Sequence, residues 1–148
     1  MFLIFTRLQT ARPAVPAAHD LLIAVADRGQ SIPPKQTIMF IQLLQLDLYR
    51  NILEANGDRY IESEGWTREH PFQNFGVRIM PASNRVMTFG CAIFAVQQIL
   101  FHMLNPESPG FGFFEGGWEI ASRARGGRGR VPVGIIRIQV HHYGRTLL

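Results

Sequence analysis

Cysteine, lysine and late acidic residues are what this chain is short of, and each scarcity closes a class of function. A single cysteine, Cys91, excludes a disulfide within the chain and any multi-cysteine metal centre. It lies in an apolar stretch with no cation beside it, so it reads as a small buried hydrophobe and not as a nucleophile. Histidines do not supply the missing ligands. His141 and His142 are adjacent and would point to opposite sides of a strand. His102 stands four residues from Gln98 in an apolar segment, where it fits a hydrogen-bonded core residue, and His70 has no ligand at metal spacing. Gly110, Gly112, Gly116 and Gly117 flank a strand-like run and not a strand-to-helix turn, so they form neither a dinucleotide fingerprint nor a phosphate loop. These glycines fit close packing of the aromatics around them, or a bulge. The chain contains no G-x-S-x-G, no H-E-x-x-H and no repeat of 20–50 residues. No metal and no cofactor is expected.

Lys35 is the only lysine, so 14 of the 15 basic residues are arginine. The last acid is Glu119 and six arginines follow it; residues 120–148 carry +6, against −2 for residues 1–119. That asymmetry points to a basic arm able to meet an acidic partner, or to a bias of composition toward arginine. With 47% hydrophobic and 18% charged residues, the 148-residue chain is globular and large enough for a core without staples.

The most apolar stretch, residues 86–104, carries no Asp, Glu, Lys or Arg and is apolar on nearly every side. Such a helix is usually buried, and at ~27 Å it would cross a small domain, so the rest is expected to pack around it. Its length also reaches the minimum for a membrane span, but Gln97, Gln98 and His102 would sit in lipid, and no span is favoured. Residues 1–16 read as an N-terminal strand over residues 2–7 followed by a proline-rich linker, and residues 17–148 as a single domain. Their apolar run is too short for a secretory signal, which with the unpaired cysteine favours an intracellular location; whether residues 1–16 are a targeting segment stays open. Residues 17–28 are expected to form a short helix, with Leu21, Leu22 and Val25 on one face and Gly29 as its stop. Residues 36–55 form a longer one through Ile38, Ile41, Leu44, Leu48 and Ile52. Residues 58–73 read as a polar loop anchored by Tyr60, Ile61, Trp66 and Phe72. Period-2 alternation predicts strands over residues 75–79, 113–121 and 133–142, the last two paired as an antiparallel hairpin over the central helix. Ser83, Asn84 or Thr88 would cap that helix. The fold class is α+β: a small, mainly antiparallel sheet packed on the central helix, with one or two N-terminal helices.

Two constellations could carry chemistry. The first is the arginine–glycine connection at residues 123–130, where Arg123, Arg125, Arg128 and Arg130, with Arg137 beyond, could wrap phosphates as a weak polyanion site. No aromatic residue interleaves them to stack a base, and a solvated hairpin connection would look the same. The second is the polar face of the hairpin, where Glu115 and Glu119 would lie across from Arg137 and His141 and could perform acid–base catalysis. Opposite charges across strands also stabilise an ordinary exposed sheet face.

From residue 75 onward the order of segments resembles that of small uncharacterised proteins of filamentous fungi. The likeness rests on FGVRI at residues 75–79, MTFG at 87–90 opening an apolar helix, WEI at 118–120 and the VG-I-RI pattern at 133–138. It implies the α+β arrangement and no activity. Many of those proteins begin with a clear secretory signal that residues 1–16 do not reproduce. The expected function is that of a small non-enzymatic domain acting through its surface, with a protein as the natural partner. Polyanion binding through residues 123–130 is the first alternative, and an acid–base enzyme using Glu115, Glu119 and His141 the second.

Overall fold

The computed structural model describes residues 20–70, 74–123 and 129–140. Seven elements follow in these residues: β1 (Leu21–Ser31), α1 (Pro34–Glu54), β2 (Trp66–His70), β3 (Phe75–Pro81), α2 (Phe89–Leu104), β4 (Phe114–Arg123) and β5 (Arg130–Val140). The strands form one sheet in the order β1-β4-β5-β3-β2, every neighbouring pair antiparallel. The fold is α+β as expected, and the described residues share one hydrophobic core.

The apolar alternation decides which side of the sheet the helices cover. Val77, Ile79, Trp118, Ile120, Ile136 and Ile138 are buried and join the core with Phe40, Leu44 and Leu48 of α1 and Cys91, Val96 and Ile99 of α2. The intervening residues Arg78, Met80, Glu119, Ile135, Arg137 and Gln139 face water. One face of the sheet is therefore covered by both helices and the other is open, the usual outcome for an antiparallel sheet with alternating side chains.

Helix α2 begins three residues later than its apolar run, because the backbone donors at its start are satisfied there. Phe89 N–H donates to the Arg59 carbonyl (3.0 Å), Gly90 N–H to Asp58 Oδ1 (3.0 Å) and Cys91 N–H to Thr88 Oγ1 (3.0 Å). Of the three expected caps, Thr88 is the one used. Asp58 is buried, and its carboxylate lies at the positive end of the helix dipole.

Two expectations are corrected. Residues 21–28 belong to strand β1 and not to a helix: Leu21, Ile23 and Val25 alternate toward the core, and the backbone pairs with β4 from Leu21↔Ser122 onward. The spacing of Leu21, Leu22 and Val25 fits either period over so short a run, and pairing with β4 settles it. Among the described residues only α1 precedes the central helix. The stretch read as a loop contains β2, whose polar side chains are held from the helix layer. Asp47 Oδ2 of α1 accepts from Arg68 Nε at 3.0 Å and lies 3.4 Å from His70 Nε2 without a hydrogen bond, and the Trp66 ring meets Phe89 edge-on at 6.2 Å. The strand and linker expected in residues 1–16 lie outside the described residues, as does the start of the helix expected from residue 17.

Candidate functional site on the uncovered face of the sheet

Register sets which side chains meet on the open face. Ala24 of β1, Glu119 of β4, Ile135 of β5 and Met80 of β3 form one row across four strands. Leu22, Ala121 and Pro132 form the next row toward the hairpin end. The register of β4 and β5 slips between Ile120 and Ala121, and a groove of about 390 Å³ opens there. The small residues Ala24, Ala121 and Gly134 give it depth, and Leu22, Met80, Pro132 and Ile135 stand around it. Glu119 and Arg130 are the only charged residues in its lining among the described residues. Arg130 stands across from Arg123, and both are exposed.

The third row is charged. Asp27 of β1 reaches across β4 to Arg137 of β5, with Arg137 Nη2 donating to Oδ2 at 2.6 Å and Nη1 to Oδ1 at 2.9 Å. Gly117 of β4 lies beneath and donates its N–H to Oδ1 at 3.3 Å. A Cβ at Gly117 would come within 3.0 Å of Arg137 Nη2 and 3.1 Å of Asp27 Oδ2, a close approach the two side-chain ends would have to relax, whereas a Cβ at Gly116 would run into the Asp27 backbone carbonyl. The Gly116–Gly117 pair thus answers a bulge in the neighbouring strand β1, where register shifts between Val25 and Asp27. The Arg137 hydrogen bond is the main cause that holds the Asp27 carboxyl below its ordinary 3.8; the Arg137 charge and the Gly117 N–H add to it against some desolvation. In return the Asp27 hydrogen bond raises the Arg137 guanidinium. Arg78 stands directly across from Arg137 on the other side.

Among the described residues the register does not set Glu115 or Glu119 directly across from Arg137. Arg137 faces Gly117 and Arg78, Glu119 faces Ala24 and Ile135, and Glu115 accepts a hydrogen bond from Val140 N–H at 3.2 Å. Glu115 and Glu119 are four residues apart on one strand, about 13 Å in extended backbone. That exceeds even the spacing of two carboxylates with a water between them. His141 lies outside the described residues, as do Arg125 and Arg128. Of the arginines expected in an anion site, Arg123 and Arg130 are paired across the hairpin, while Arg137 is bound to Asp27. Among the described residues the open face carries Arg78, Arg123, Arg130 and Arg137 and as many carboxylates, Asp27, Glu69, Glu115 and Glu119. Asp27 was missed from the sequence because a helical reading of β1 turned it away from the sheet. Leu22 and Ala24, which line the groove, were lost the same way.

Other reactive groups are occupied by the core. Cys91 is fully buried, and burial, with the Asp58 charge adding to it, pushes its thiol up to about 12. His102 is hydrogen-bonded as expected, though to Ser108 Oγ at 2.6 Å, and its ring lies 6.0 Å from that of Trp118. Among the described residues no three His, Cys, Asp or Glu side chains gather to hold a metal, and no helix is long and apolar enough to cross a membrane. Comparison with known proteins finds no matching family model, curated protein or solved structure.

Proposed function

We propose that this is a binding domain and that its open sheet face receives an amphipathic anion. The apolar body lies in the groove between Leu22, Met80, Pro132 and Ile135, and the anionic head meets Arg130 and Arg123. The observation that carries this reading is the groove itself, lined mainly by apolar residues, with Arg130 in its lining, Arg123 across from Arg130, and Glu119 the one carboxylate among its described lining residues. Its volume falls in the range of small-molecule sites, which are mostly apolar with a few placed polar groups. Guanidinium is the side chain best shaped for a carboxylate or phosphate head. A long polyanion fits less well, because the described residues of this face away from the groove carry Arg78 and Arg137 against Asp27, Glu69 and Glu115, and Arg137 is already bound to Asp27.

Calorimetric titration with decanoate tests the reading, with decanol as the uncharged control. Wild-type protein is expected to bind decanoate saturably and to prefer it to decanol. Ala121→Leu fills the groove, and Arg130→Ser removes a head-group contact; each should weaken decanoate by about tenfold, the effect of losing roughly 1.4 kcal/mol. Arg130→Ser should also abolish the preference over decanol. Absence of saturable binding, or equal binding by both variants, overturns the proposal.

A further inference from the structure

Both helices expose apolar side chains on the side turned away from the sheet. Met39, Leu46 and Leu53 of α1 are 45%, 54% and 58% exposed, and Phe101 and Leu104 of α2 are 52% and 49% exposed. On α1 they recur every seven residues, opposite the buried stripe of Phe40, Ile41, Leu44, Leu48 and Ile52. Helix α2 contains no Asp, Glu, Lys or Arg at all, so the charged face that normally meets water is missing. Single exposed hydrophobics are ordinary, but a contiguous group marks a contact surface.

These residues form one ridge. Gln45 Nε2 donates to Gln97 Oε1 at 2.7 Å near the middle of the helix pair, and Asp58, just past the end of α1, bonds Gly90 at the start of α2. The two ties occur in opposite order along the helices, so α1 and α2 run antiparallel. Met39 lies six residues before Gln45; Phe101 and Leu104 lie four and seven after Gln97. All three fall on the same side of the glutamine pair, within about 6–10 Å of it along the axes. The ridge therefore runs from Leu53 through Leu46 to Met39, and broadens there with Phe101 and Leu104 beside it.

We propose that a second copy of this chain covers the ridge, the two α1 helices lying antiparallel across a two-fold axis at Leu46. Leu46 is midway between Met39 and Leu53, so that axis sets Met39 against the partner's Leu53 and, by symmetry, the reverse. The broad end with Phe101 and Leu104 then meets the narrow end of the other ridge. Charge agrees with the same axis. Exposed Lys35 opens α1 and exposed Glu54 closes it; the axis sets each Lys35 about 4.5 Å along the helix from the partner's Glu54, within reach of the two long side chains. Antiparallel helix dipoles add to this, and α2 brings no charge that would repel its copy. The surface is opposite the groove, so either proposal can fail without the other.

Sedimentation velocity of the full chain over a wide concentration range is the test. Wild-type protein is expected to reach twice 16.8 kDa. Leu46→Glu should sediment as monomer with unchanged circular dichroism and unfolding midpoint, since Leu46 touches solvent and not the core. Lys35→Glu should weaken the dimer at low salt and Lys35→Glu/Glu54→Lys restore it, which a merely sticky surface would not do. A wild-type monomer at every concentration, a dimer that survives Leu46→Glu, or a double variant no better than the single one overturns the proposal. So does a monomer that floats with phosphatidylcholine vesicles, which would assign the ridge to a lipid surface.

Discussion

Asp27 and Arg137 meet across a strand that carries glycine between them, Gly117 donating its N–H to Asp27. Both side chains are about half exposed, so the pair sets the geometry and protonation of the open face and adds little to stability. A carboxyl whose folded pKa is depressed contributes above its unfolded value and loses that contribution as pH falls through the folded one. Carboxyl NMR titration of Asp27 should accordingly give a midpoint below 3.8, and Arg137→Gln should bring it back toward that value. Cys91 offers a second check at this scale. With its thiol raised to about 12 and no exposed surface, it should resist a thiol reagent at neutral pH until the chain is unfolded. Fast labelling of native protein would mean that the start of α2 opens.

Helix α2 is held at its N-terminus by Asp58 and Thr88 and along its length by the core. Asp58→Ala would leave the Gly90 and Arg59 N–H groups without their acceptor, at a cost of about 1–3 kcal/mol in urea unfolding. Val96→Asp should abolish soluble expression, because it buries an unpaired charge in a fully enclosed site. The sequence made α1, α2, β3 and the β4–β5 hairpin legible, because each has a long enough apolar period to select one structure. β1 was not legible, since five residues in LLIAV fit both periods and their pairing partners are 93 to 101 residues away. β2 was missed for a related reason. Its side chains are mostly polar, and ladder bonds to β3 and the Asp47 contacts make it a strand, not any burial of its own. The groove could not be foreseen without β1, and the separation of Glu115 from Arg137 needed the register, which no pattern in the two strands fixes.

At the scale of the molecule, one sheet separates two surfaces with different chemistry: a groove with arginines at its hairpin end, and a helix ridge of apolar side chains in which Arg50 stands exposed between Leu46 and Leu53. The arginines should still draw polyanions weakly. RNA is expected to bind at low salt and to dissociate steeply as salt rises, and changing Arg123, Arg125, Arg128 and Arg130 to serine should remove that binding without moving the unfolding midpoint. RNA binding that persists at physiological ionic strength would speak for a true nucleic-acid interface instead. The central claim, that the uncovered face of the sheet binds an amphipathic anion, is tested most directly by amide chemical-shift mapping during decanoate titration. Saturable shifts should concentrate at Leu22, Ala24, Ala121, Arg130, Gly134 and Ile135, and leave the exposed face of α1 unmoved. Shifts confined to α1 and α2, or none that saturate, would contradict it.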